Sequence, residues 1–205
     1  MKLRKTLLFM IVAIYSLSFP AAKAAANTPT DAVKYTVDSV LNLLKDKELS
    51  APDKKEERRT RISSLIRERF DFREMARRSL ARHWKKRTPE EEKEFVAIFS
   101  DLLEASYISK IEAYTDERVT FDKEVIKGKG KYGVVSTTIA TKAVDIPIDY
   151  KVKFKNGKWW IYDVVVEGVS FVSTYRSQYN KVIVKESFAK LIQRMKNKLN
   201  EVNAI

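Results

Sequence analysis

Between residues 158 and 166 the chain reads KWWIYDVVV, and both alternating sets of side chains are largely apolar. On an extended strand Trp160, Tyr162, Val164 and Val166 share one face and Trp159, Ile161 and Val165 the other, so little of either face tolerates water. Glu167-Gly168 stops the run, after which Val169, Phe171, Val172 and Tyr175 take helical spacing. A strand that turns directly into a helix and needs apolar cover constrains where the rest of the chain can go.

The preceding segments supply a sheet. Residues 119–125 alternate loosely, Gly128 and Gly130 punctuate a basic turn, and 134–140 form a second β-branched run. Ile148, Tyr150, Val152 and Phe154 then alternate with Asp149, Lys151, Lys153 and Lys155, giving one dry and one wet face. Lys155-Asn156-Gly157-Lys158 closes a hairpin onto the 158–166 strand. A two-residue Asn-Gly loop would pair Tyr150 with Asp163 and put an acid on the dry face. A three-residue loop, with Gly157 left-handed as a bulge, pairs Val152 with Trp160, Tyr150 with Tyr162 and Ile148 with Val164, so side-chain parity predicts that loop.

Before the sheet the pattern is helical. Thr30 can cap a helix carrying Val33, Val37, Val40, Leu41 and Leu44 on one side. A second helix starts near Pro52 or Asp53 and is polar until Ile62, Leu65 and Ile66. Asp71 and Glu74 have capping-box spacing for a third, with Met75, Leu80 and Trp84. Thr88-Pro89-Glu90-Glu91 combines a cap, a proline at the first helical position and acids in the first turn. The helix it opens carries Phe95, Ile98, Phe99, Leu102, Leu103 and Ile111, and a basic amphipathic helix over 182–202 ends the chain. Helices, about four antiparallel strands, then helices again define an α+β fold. One curved antiparallel sheet is expected, with helices packed on one face enclosing an apolar cavity.

Lys2, Arg4 and Lys5 precede an uncharged run over 6–19, followed by Ala22-Lys23-Ala24 or Ala24-Ala25-Ala26. The run is shorter than the roughly 20 residues a spanning helix needs, so 1–24 reads as a secretory signal peptide cleaved after Ala24 or Ala26. Residues 25–205 then form one domain. With no cysteine, the chain has no disulfide, no Cys-zinc site, no thiol catalysis and no residue to carry a lipoprotein anchor. Of the formal net charge of +13, the leader holds four cations, while 54–87 hold fourteen Lys or Arg against five acids. A basic helical patch on a neutral body reads either as a docking surface for an anionic partner or as a solvated face whose long stems cover apolar surface. Nucleic-acid binding fits the charge and the nearby Trp84, but export argues against it.

Catalytic signals are weak. His83, the only histidine, lies between Arg82 and Trp84, so no His pair exists for a metal, and neither a nucleophile elbow nor a Gly-rich phosphate loop appears. Asp163 and Glu167 read as a partner for Lys151 and a turn stop.

Two segments, FDFREMARRSLARHWKKRTPEEEKEFVAIFSDLLEASYISKIEAY (70–114) and KWWIYDVVVEGVSFVSTYRSQY (158–179), resemble the MlaC family, also called the toluene-tolerance auxiliary family. The most specific parts are Arg87-Thr88-Pro89-Glu90 and the run from Tyr162-Asp163-Val164 to Glu167-Gly168-Val169-Ser170. The resemblance implies an NTF2-like fold and a periplasmic phospholipid carrier without catalytic residues or cofactor. It further implies a monomer that moves a diacyl phospholipid between an outer-membrane lipoprotein complex and an inner-membrane ABC transporter with an MCE-domain ring. The density of Arg and Lys in the second and third helices departs from the family and bears on headgroup and partner contacts. A ligand-free envelope interaction module, and an NTF2-like acid-base enzyme using Asp163, are the alternatives.

A diacyl lipid exposes on the order of 30 methylenes, so at ~0.8 kcal/mol each a carrier must replace roughly 25 kcal/mol of apolar contact. Candidate tail contacts are Tyr150, Val152, Trp160, Tyr162, Val164 and Val166 on the sheet, and Phe95, Phe99, Leu102, Leu103, Val169, Phe171 and Val172 on the helical side. Each also suits an ordinary core. Arg73, Arg77, Arg78, Arg82, Lys85, Lys86 and Arg87 are the candidate partner-docking residues.

Overall fold

A computed structural model describes residues 28–114 and 118–204. The leader and the helix-to-strand change near Asp116 lie outside the described residues.

Helix α1 (Pro29–Lys45) is capped by Thr28 rather than Thr30: the Thr28 hydroxyl accepts from the Asp31 N–H, and the Asp31 carboxylate accepts from the Thr28 N–H. Pro29 holds the first helical position, where no N–H is needed. A 3-10 turn (Pro52–Lys54) leads into α2 (Lys55–Arg69), and Asp71 caps α3 (Phe72–Leu80) by accepting the Glu74 N–H at 2.9 Å. A further 3-10 turn (Ala81–Lys86) carries Trp84 inward, and α4 (Pro89–Glu112) begins on the expected Thr88 cap, which Glu91 completes as a capping box. The two helical segments expected after Gly168 are α5 (Phe171–Lys185) and α6 (Phe188–Asn203), with the break after Lys185 rather than before Val182. Ser187 makes the break by accepting the Lys190 N–H, which lets α6 fold back against α4.

Among the described residues five antiparallel strands lie in chain order: β1 (Arg118–Lys127), β2 (Tyr132–Ala140), β3 (Asp145–Lys155), β4 (Lys158–Val166) and β5 (Val169–Ser170). The last, two residues long, adds to the four expected. It covers one end of the outer edge of β4, and Phe70 bridges the same edge at Ile161, with the Asp71 N–H donating to the Ile161 carbonyl at 2.8 Å. Little of that edge is left unpaired.

The β3–β4 hairpin corrects the parity argument. Lys155 pairs with Lys158, so the loop is the two-residue Asn156-Gly157, both at positive φ (52° and 75°), the geometry of a type I′ turn. Parity failed because β4 is not regular: Val152 pairs with Ile161 but Lys151 with Asp163, leaving Tyr162 as the extra residue of a β-bulge. Beyond the bulge Val164 and Val166 join the face of Trp159 and Ile161, opposite Tyr150 and Ile148. Trp160 and Tyr162 turn to the outer face, as does Asp163.

Two cores result. One lies among the helices around Met75, Leu80, Phe95, Phe99, Tyr179 and Leu191; the other joins α1 to the inner sheet face through Val33, Val135, Val152, Trp159 and Ile161. Gly133 permits the second, since a Cβ there would stand 3.0 Å from Val152 and 3.1 Å from Pro29. The N-terminus of α1 therefore seats directly on the sheet.

Candidate functional site

The apolar stripe of α1 is wider than the sheet core uses. Val33 is fully buried, but Val37, Val40, Leu41 and Leu44 continue past it and face an unfilled space between α1, α4 and the inner sheet face. The space measures about 470 Å³. Ile66 and Phe70 from α2 and the turn after it, Tyr107 and Ile111 from α4, and Ile139, Ile146, Ile148, Tyr150 and Val166 from the strands complete its wall. A deeper lobe of about 220 Å³ adjoins it, reaching Leu103 and Val164. Phe171, at the start of α5, lines both and stacks on Tyr107 with ring centroids 4.5 Å apart. The open rim carries Leu44, Lys110 and Tyr114, while Val33 and Ile161 close the other end.

Several polar side chains of the wall are engaged or kept neutral, while the Glu104 Oε1 is buried without a hydrogen-bond partner. The Thr36 hydroxyl donates to the Ala32 carbonyl, and burial pushes the Tyr150 phenol up to about 12 against a Thr137 hydrogen bond, so it is neutral at physiological pH. Arg69 closes the inner end, donating to the Trp159 carbonyl at 2.9 Å and to Thr36; burial lowers its pKa. Glu104, at the deep lobe, has its carboxyl raised by burial, which outweighs the Arg67 contact at 2.8 Å. At the far end of α4, burial of Glu112 is overcome by hydrogen bonds from Arg59 and Arg58, which hold its carboxyl low and tie α2 to α4.

Of the thirteen candidate tail contacts, Leu103, Tyr150, Val164, Val166 and Phe171 line the cavity. Leu102 and Val169 line a separate groove of about 420 Å³ along α5 and α6, which Tyr107 and Phe171 also border. Phe95, Phe99 and Val172 belong instead to the helical core, because α6 folds back over that aromatic face. Val152 is fully buried under α1. Trp160 and Tyr162 point outward for the reason given by the bulge: Arg78 lies 4.1 Å over the Tyr162 ring, and the Trp160 indole donates to the Lys155 carbonyl. The α1 residues were the omission. Their spacing was visible in the sequence, but nothing local distinguishes a stripe that meets a void from one that meets side chains.

The basic patch is largely engaged within the molecule. Arg77 and Arg78 both bind Glu74, Arg73 binds Glu92 at 2.8 Å, Arg87 binds Glu91 and lies over Phe188, and Arg82 donates to Asn180. Lys85 and Lys86 are exposed and, among the described residues, make no ion pair. His83 shares the Asn180 carbonyl oxygen at 2.9 Å. The Asp163 carboxylate accepts from Lys151, the Ser170 hydroxyl and the Val172 N–H, so it seats the start of α5 rather than facing the cavity. Among the described residues no cluster of His, Asp and Glu is placed to hold a metal ion, and no helix is long and apolar enough to cross a membrane.

Fold and site together define a class: an α+β protein with an open-ended, carbon-walled cavity between a helical layer and an antiparallel sheet. The chain belongs to the MlaC family, whose model, described as MlaC protein, matches residues 34–197. It is similar to the intermembrane phospholipid transport system binding protein MlaC of Haemophilus influenzae, at 22% identity over 126 residues. That match takes in 60% of this chain and 59% of the relative, less than two thirds of its length. It also resembles a solved structure of the phospholipid-binding protein from Ralstonia solanacearum in complex with a phospholipid. There the TM-score is 0.75 at 23% identity, over 85% of this chain and 98% of that one, a likeness of fold.

Proposed function

We propose that the protein is a phospholipid carrier, holding acyl chains in the cavity between α1, α4 and the sheet and leaving the headgroup at the open rim. The carrying observation is the unfilled apolar space walled by α1 and the sheet, about 470 Å³ with a further lobe of about 220 Å³. Ordinary interiors leave few voids larger than a water molecule, so a cavity this large lined by Val, Ile and Leu is built for an apolar occupant. The names of both relatives support the choice of phospholipid. The leader at 1–24 supports export to the periplasm, with 25–205 as the mature domain.

Membership in the family supports two partner classes: an inner-membrane ABC transporter complex with an MCE-domain ring and an outer-membrane lipoprotein complex. The carrier is a monomer in this reading, and exchange needs no catalysis, because a carrier must match the bilayer's apolar environment closely enough to load and unload. Lys85, Lys86 and Arg82 are the cations of the basic turn best placed to meet an acidic partner surface, since the other arginines already hold carboxylates.

Native mass spectrometry on protein purified from the periplasm, with organic extraction of the bound material, tests the reading. A stoichiometric diacyl phospholipid is the expected result. A bare polypeptide mass, with no uptake from vesicles, would overturn it in favour of a ligand-free interaction module.

A further inference from the structure

Two hairpin tips stand side by side at the end of the sheet remote from the cavity rim. They read IKGKGKYG (126–133) and KFKNGKWW (153–160), six lysines with no acid. The Phe154 N–H donates to the Lys131 carbonyl at 2.9 Å, which joins the tips into one surface. Lys153 and Lys155 lean toward Glu74 and Asp71, at 3.9 and 3.4 Å. Lys127, Lys129, Lys131 and Lys158 are exposed and, among the described residues, have no ion-pair partner. On the inner face of the same tips Ile126 and Phe154 stand 49% and 43% exposed. On the outer face the register sets Lys127, Tyr132, Lys153 and Trp160 in one row across four strands, ammonium alternating with ring. Gly128, Lys129, Gly130, Asn156 and Gly157 hold positive φ, so the turns are tightly defined.

Lysines alone suit any polyanion. Exposed Ile and Phe with half-buried Tyr and Trp rings narrow the choice, because phosphate backbones and acidic loops offer nothing to bury them. An anionic bilayer surface offers both: negative headgroups for the ammonium groups and an interfacial layer for the apolar side chains and rings. We propose that this sheet end is a docking surface for anionic phospholipid bilayers. Ile139, in the cavity wall, lies seven residues along β2 from Tyr132, about 23 Å at ~3.3 Å per residue, so docking at the tips leaves the cavity uncovered. The inference goes beyond the carrier reading and does not depend on it.

The test is flotation of the purified protein with phosphatidylglycerol-containing vesicles and with phosphatidylcholine vesicles. The expected result is binding to the anionic vesicles only, weakened by salt. The combined substitution Lys127→Gln, Lys129→Gln, Lys131→Gln and Lys158→Gln should weaken it a hundredfold or more, while the same four changed to Arg retain it. Ile126→Ser with Phe154→Ser should weaken binding and leave its salt dependence. All variants should keep native circular dichroism and co-extracted lipid; where the Gln variant does not fold, Lys129→Glu at the exposed tip, expected to weaken binding several-fold, replaces it. Equal binding to both vesicles, no binding, displacement by duplex DNA, or an unaffected lysine variant overturns the proposal. So does loss of vesicle binding on filling the cavity with Val37→Trp, which would show that flotation reports cargo exchange. A protein that docks but yields no lipid on extraction would retain this inference and sink only the carrier reading.

Discussion

Two buried acids show how single side chains set the conditions under which the fold holds. Glu74 accepts hydrogen bonds from Arg77 and from Arg78, each at 2.8 Å, and the Arg77 contact first among them holds its carboxyl down at about 2 against the cost of burial. A carboxyl lower in the folded than in the unfolded chain contributes stability above its unfolded value near 4.5 and loses it as pH falls toward 2. Urea unfolding of the wild type and Glu74→Gln across that range should show a gap of about 2 kcal/mol at neutral pH that closes toward pH 2. A constant gap would assign the effect to packing. Asp163, 3% exposed, accepts three hydrogen bonds that join β3, β5 and the first turn of α5. Asp163→Ala leaves the Val172 N–H and the Lys151 ammonium without their acceptor and should cost about 3 kcal/mol in the same measurement. Of these roles, the Lys151 partnership was legible from strand alternation. The capping of α5 was not, because it depends on how sharply the chain turns at Glu167-Gly168.

At the scale of elements, α1 is the wall of the cavity. Val37, Val40, Leu41 and Leu44 form a regular stripe, and the helix is seated by Pro29 against Gly133. Leu41→Trp, alone or with Val40→Trp, places indole where acyl chains are proposed to lie. Co-extracted phospholipid should fall several-fold with the far-ultraviolet dichroism unchanged, since the side chains fill a void rather than displace a core. The helix starts at Thr88 and Asp71 were readable because caps are local chemistry: a side-chain oxygen and an N–H three residues apart. The Tyr162 bulge was not, and it misplaced Trp160 and Tyr162, because one extra residue reverses every later facing without any change in composition.

For the whole molecule, the proposed carrier role makes the balance between cargo and core the governing quantity. A ligand that binds only the folded state stabilises it by roughly 2.7 kcal/mol at a hundred times Kd. Protein stripped of lipid should therefore melt about 5 °C or more below loaded protein in calorimetry and recover when phospholipid is restored. Equal melting temperatures would mean that the cavity is empty in use. The α+β class and the order of the main elements follow from the chain alone, since hydrophobic period, turn residues and caps act over a few positions. Which face of β4 looks inward, that Phe95 and Phe99 are core while Val37 and Leu41 border a void, and that most of the basic helical patch is consumed by Glu74, Glu91, Glu92 and Asn180 were decided only by the tertiary structure. The reason is that facing, filling and pairing depend on which distant segments meet, and residues far apart in the chain carry no local mark of one another.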